Sequence, residues 1–339
     1  MKIFSKVFNN TSFQGIFFCN LFITASLILT SCNKSADVND APSPAENNPP
    51  LSYFSLFPDT LVALVGDAIT LTIKARDTSG TDITDIVPTY TSSDDKVVSV
   101  QADGRISANE IGQATLTATA GGKTEKVVIY VGAASYDFEN LGVPKIANAN
   151  YIDLSKIGRI SRFRSTIGHS YTDSDSTETC RSMKHYFEPK NTVDWTNVDI
   201  YAPVTGTIYG LQTDGNWGYQ VRIRSVNQPI FFIAVFHVNI DSGIIKGKWV
   251  HAGDHLGKHA SSFTMSDIAV TYKGKENGHL FSFFEAMTDS VFNLYKVRGV
   301  QSREAAIITK AERDADPVPC VGEQQFTVEG TTPDWLVLN

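Results

Sequence analysis

Apolar and polar residues alternate with period two through much of residues 52–132. Ile69, Leu71, Ile73 and Ala75 are separated by Thr70, Thr72 and Lys74. Ala114, Leu116 and Ala118 are separated by Thr115 and Thr117, and a similar rhythm returns over 127–131. Successive side chains of a strand point to opposite faces, so this alternation predicts strands with one buried face. Breaks at Gly66-Asp67, Ser79-Gly80, Asp103-Gly104 and Gly121-Gly122 cut the segment into short strands, the pattern of an all-β sandwich. Asp103-Gly104 suits a tight hairpin turn, because glycine enters positive φ without steric cost.

From about residue 160 onward the chain again reads as strands, at 207–210, at 220–224 and in the apolar run 230–237. One helix is expected, over 302–313, where Ala and Glu dominate. Residues 133–159 show little periodicity and read as a linker. The expected fold class is therefore all-β: an Ig-like sandwich over 52–132, then a second β-rich domain over 160–339. A chain of 339 residues is long enough for two such cores.

The first 31 residues belong to a different class. Lys2 and Lys6 precede a mostly apolar stretch over 16–29 that ends in Leu29-Thr30-Ser31-Cys32. This order of charge, apolar run and small residues is that of an export signal. The tetrapeptide resembles the bacterial lipobox, which implies cleavage before an acylated Cys32 and a lipid anchor in a membrane surface, in the outer membrane or elsewhere in the envelope. Residues 32–51 are rich in Asn, Asp, Ser and Pro and cannot bury enough surface to offset their ordering entropy, so they read as a flexible tether.

Two composition facts narrow the function. The net charge is −7 with no long basic run, which argues against nucleic acid as a partner. Of the four cysteines, Cys19 leaves with the signal and Cys32 takes the lipid. Cys180 and Cys320 remain as an even pair, which an oxidising compartment would join in a disulfide; the alternative is two buried thiols.

Thr89-Tyr90-Thr91-Ser92-Ser93-Asp94, 97–100, 103–108 and 112–118 resemble, in order, the bacterial group 2 immunoglobulin-like domain. A structural or adhesive role for this module is the corresponding expectation. In the second domain the resemblance is to the lysostaphin/LytM-type zinc metallopeptidases, which cut peptide cross-bridges of bacterial cell walls. It rests on Ala202-Pro203-Val204-Thr205-Gly206-Thr207-Ile208, on the strand Trp217 to Ile223, on Phe236-His237-Val238, on Val250 to Gly257, and on Gly278-His279-Leu280-Phe281. It implies a zinc ion held by two residues of a His-x-x-x-Asp motif and by the last residue of a His-x-His triplet. The first histidine of the triplet and a separate strand histidine then serve catalysis.

Carried onto this chain, the resemblance makes His237 and His279 the catalytic pair and puts Phe281 where the third zinc ligand belongs. A benzyl side chain has no lone pair to give. His169 and Asp173 have the His-x-x-x-Asp spacing but lie far upstream of Ala202. His185 lies at a closer distance but is followed by Glu188 and Pro189. The expected metal set is thus His169 and Asp173, with His185 as a neighbour or substitute third ligand. His251, His255 and His259 recur every four residues, but the glycines among them exclude a helix, and they are expected in surface turns. The resulting expectation is a lipid-anchored envelope protein with a degenerate peptidase-like domain that binds wall peptides or a wall-associated protein. An active zinc endopeptidase and a purely structural surface lipoprotein are the alternatives.

Overall fold

The computed structural model describes residues 48–101, 104–173, 178–273, 278–321 and 325–339. The export signal, Cys32 and most of the tether lie outside the described residues. Among the described residues no helix is long and apolar enough to cross a membrane.

The protein is all-β, as the alternation predicts. In the N-terminal sandwich, Thr60–Leu64 pairs in parallel with Lys123–Gly132, which continues antiparallel to Gly112–Ala120 and then to Thr89–Ser92. A second sheet joins Leu51–Phe57, Thr72–Asp77 and Asp82–Ile83, and a third joins Ala68–Ile69, Ile106–Ala108 and Val98–Val100. Ala114, Leu116, Ala118 and Ala120 are buried together with Val127, Ile129 and Val131, so one face of each long strand makes the core. Of the expected turn at Asp103-Gly104, Asp103 lies outside the described residues; Gly104 has φ 82°, and Gln101 N–H donates to the Arg105 carbonyl at 2.8 Å.

The C-terminal domain is built on one large sheet. Its main path runs Trp249–Val250, Gly206–Thr213, Tyr219–Ser225, Phe231–Ile240, Ser266–Lys273, His185–Pro189, Ile157–Ser161 and Trp335–Val337. The central strands are buried on both faces. Ile233, Val235, Ile268 and Val270 face the larger core, while Ala234, Phe236 and Ala269 face a smaller cluster with Phe163, Met183 and Leu280. The framework glycines are required by close approach. A Cβ on Gly206 would sit 1.8 Å from the Arg224 carbonyl oxygen, and one on Gly257 2.1 Å from that of Asn239. No side chain fits either place.

Three features differ from the sequence expectations. The segment 133–159 is not an unstructured connection: Ile146, Ala147, Tyr151 and Ile152 lie in the main core, and Ala147 N–H donates to the Ala286 carbonyl. The helix expected over 302–313 is two pieces, a 3-10 turn Glu304–Ala306 and an α-helix Lys310–Ala315. Between them Ile308 N–H donates to the Phe163 carbonyl at 2.9 Å, which takes the chain out of helical pairing. Thr309 and Glu312 then form a capping box that starts the second piece. Third, the sandwich, expected to be joined to the second domain by a linker, packs directly on it. Tyr130 stacks on Trp249 at 5.5 Å, Val62 N–H donates to Thr207 Oγ1 at 3.1 Å, and Arg224 pairs with Asp67 at 3.2 Å.

Cys180 and Cys320 form a disulfide with Cα atoms 5.4 Å apart, closing 140 residues of sequence.

Candidate functional site

The site is organised by three neighbouring strands, Phe231–Ile240, Ser266–Lys273 and His185–Pro189. Val235 and His185 both stand opposite Ile268, and Tyr186 stands opposite Asp267. Alternation along the last strand puts Lys184 and Tyr186 on the Asp267 face and His185 on the other. Asp267 is fully buried, and its neighbours on that face are Lys184 and His237.

Lys184 is the centre of the cluster. It is 2% exposed, and its ammonium pairs with Asp267 Oδ2. The same Nζ donates to His169 Nε2 at 3.2 Å and lies over the rings of Phe236 at 4.3 Å, Tyr171 at 4.8 Å and Tyr186 at 4.9 Å. Burial pulls the ammonium pKa down, but the Asp267 carboxylate and the tyrosine rings outweigh it. The net shift is upward, so Lys184 stays charged. Asp267 in turn is held by charge: Oδ1 lies 3.3 Å from His237 Nε2, and neither oxygen accepts a well-aligned hydrogen bond.

His237 adopts φ 58°, a left-handed conformation that is costly for a residue with a Cβ. That bend lies within the strand Phe231–Ile240, where its pairing with Tyr219–Ser225 shifts register, and it sets the ring between Asp267 and the Trp217 carbonyl. Nδ1 stands 3.3 Å from the Trp217 carbonyl and 3.9 Å from Asp214 Oδ2. Each ring nitrogen therefore has an oxygen within 3.3 Å.

His169 sends Nδ1 to the Ser170 carbonyl at 2.9 Å, which leaves Nε2 as the acceptor for Lys184. Burial and then the nearby ammonium lower its pKa, keeping the ring neutral. Behind the cluster, His259 is 1% exposed, its ring tilted against that of Trp195 at 4.4 Å, with Nε2 against the Thr264 carbonyl. Burial lowers its pKa to about 4. His259 is thus a core histidine and not the surface-turn residue its Gly-rich context suggested. His251 does lie in an exposed turn. His255 is also exposed but belongs to a strand, between Asp241 and Asp199.

The structure does not bring the five sequence-expected site residues together. His237 and His169 share the Lys184–Asp267 centre. His185 lies on the opposite face, fully buried, with Nδ1 2.8 Å from the Ser161 carbonyl and Nε2 2.8 Å from Ser282 Oγ. Burial lowers its pKa to about 4, and neither nitrogen is available to a metal. Asp173 is on neither of these centres: it accepts from Leu280 N–H at 2.6 Å and lies 3.6 Å from His279 Nδ1. His279 pairs with Tyr272, five residues along the strand from Asp267, a separation of roughly 16 Å at the rise of a β-strand. Its ring packs on Phe138 and Tyr272. Phe281 fills apolar space against Phe138 and Phe231. The Gly278–Phe281 strand is therefore an outer strand of the sheet, and the position beside His237 belongs to Met265, Ser266 and Asp267. A lone carboxylate at the start of the apolar run 268–270 was the available signal for Asp267.

The arrangement does not fit zinc. An ammonium has three donors and no lone pair, and this one occupies His169 Nε2 and Asp267 together. Among the described residues no group of three or more His, Cys, Asp or Glu side chains is placed to hold a metal ion.

The cluster floors an open cleft of about 960 Å³. Its lining includes His169, Tyr186 and His237, the aromatic Trp195, Trp217 and Phe263, and the carboxylates Glu188, Asp194 and Asp214.

Comparison with known proteins agrees with this division. Residues 53–131 match the bacterial Ig-like domain (group 2). That assigns the sandwich. No curated protein matches the chain. Solved structures similar to it include a zinc-containing peptidase from Vibrio cholerae, at 10% identity and TM-score 0.28, covering 59% of this chain and 74% of that one. A candidate M23 peptidase from Pseudomonas aeruginosa follows at 13% identity and TM-score 0.24, with 71% and 97% covered. Domains 5–6 of the S-layer protein SbsC follow at 15% identity and TM-score 0.24, with 69% and 98% covered. Similarity at this level leaves the functional reading to the side chains.

Proposed function

We propose that this chain is a lipid-anchored cell-envelope protein whose C-terminal domain binds cell-wall peptides without hydrolysing them. The observation that carries the proposal is the buried Lys184 ammonium between His169 and Asp267. A fixed positive charge there supplies the electrostatic balance a metal would otherwise give to Asp267, but it polarises no water and leaves no open coordination position. His237 has an oxygen within 3.3 Å of each ring nitrogen, and these compete with a substrate water for the ring. The open cleft with aromatic walls is a form suited to holding an extended ligand.

The sandwich supports the same reading. It contacts the C-terminal domain through Tyr130, Val62 and Asp67, so it would present the cleft in a fixed orientation rather than on a loose string. The lipid at Cys32 would hold both at a membrane surface.

The test is co-sedimentation of the full chain with purified peptidoglycan, together with chromatography of the soluble fraction. The expected outcome is retention in the pellet with no released wall fragments, in the presence or absence of added zinc. Zinc-dependent release of fragments would overturn the binding reading in favour of a peptidase.

A further inference from the structure

The lining of the cleft carries more information than its size. Its formally charged residues are Glu188, Asp194 and Asp214 against Lys190, two negative charges in excess. Lys184, which adds a positive charge beneath the floor, is already neutralised by Asp267. Glu188 is engaged by Arg159 at 2.5 Å, and the Asp194 carboxylate caps the turn Trp195–Asn197. Asp214 differs from both. Its carboxylate makes no cap hydrogen bond, and its Oδ2 lies 3.9 Å from His237 Nδ1.

Three residues on stands Trp217, 54% exposed, and Phe263, which lines the same cleft, is 93% exposed. Large aromatic side chains left this open in a cleft of this size mark a surface that receives something. A half-buried carboxylate and an open indole, three residues apart and lining one cleft, suit one chemical group in particular: an ammonium takes the carboxylate as a charge-assisted partner and the ring as a cation–π partner.

We propose that the cleft receives a peptide carrying a free primary amine, with that amine held as an ammonium by Asp214 and Trp217. The assignment rests on the wall-peptide reading above and narrows it. Cross-linking converts a wall-peptide amine into an amide, removing its charge. A site of this kind therefore distinguishes uncross-linked from cross-linked wall.

The test compares native peptidoglycan with the same material N-acetylated on its free amines, using the full chain and the Asp214→Asn variant. Acetylation is expected to weaken retention by about tenfold, the scale set by loss of one charge-assisted contact, and Asp214→Asn should weaken binding to native material by a similar factor. Asn keeps the size of the side chain, and an unchanged thermal midpoint would show that the fold is intact. Equal retention of native and acetylated material would overturn the amine assignment while leaving wall binding in place. No retention on either material would overturn both.

Discussion

Replacing Lys184 by Met should destabilise the protein by about 3–5 kcal/mol, because it leaves the fully buried Asp267 without its counter-ion. Methionine keeps the length and most of the volume of lysine, so packing against Tyr171, Tyr186 and Phe236 is largely preserved and the loss reports the charge. The second variant makes the argument specific. Lys184→Met combined with Asp267→Leu removes both charges, and replacement of a buried ion pair by apolar groups of similar volume is often neutral or stabilising. The double variant should therefore recover most of the loss in urea unfolding. A single variant within about half a kcal/mol of the parent would mean that the pair is not the centre of the site.

The second large effect is on pH dependence. His185 and His259 each have a pKa lowered by burial to about 4, against an ordinary value near 6.5. Both favour the neutral ring in the folded state. Their contribution to stability is fully present above the unfolded value and is lost as pH falls from about 6.5 through about 4. The loss is on the order of 3 kcal/mol for each ring by the end of that window. Carboxylates lower their own contribution mainly below about pH 4.5, so the upper half of the decline belongs to the histidines. Chemical unfolding between pH 7.5 and 4 should show it. His259→Gln, which retains a donor for the Thr264 carbonyl, should flatten the curve; an unchanged slope would exclude that ring as a source.

Much of the architecture was legible in the chain. The Thr-Ala and Thr-Leu alternation over 112–120 marks one face of a sandwich, and the structure buries that face. Gly206 and Gly257 stood out as framework residues, and each is where two backbones meet too closely for a Cβ. The even pair Cys180 and Cys320 is joined.

The site was legible only in part, for a physical reason. His-x-x-x-Asp and His-x-His patterns direct attention to residues with lone pairs, whereas the centre here is an ammonium, Lys184, next in sequence to the more conspicuous His185. Alternation says that the two point to opposite faces but not which face is the cleft. Only the pairing of Tyr186 with Asp267 decides that. Order along the chain placed the triplet at 279–281, yet the strand beside His237 is Ser266–Lys273. Which strands are neighbours is a long-range property that spacing does not record.

Lys184 fills the space between His169 and Asp267, and with it in place the cluster has no room for zinc. Zinc content after loading and gel filtration of the full chain tests it most directly. The account predicts well under one zinc per chain, with no change in His169→Ala. One tightly held zinc per chain, lost in His169→Ala or Asp267→Ala, would contradict it.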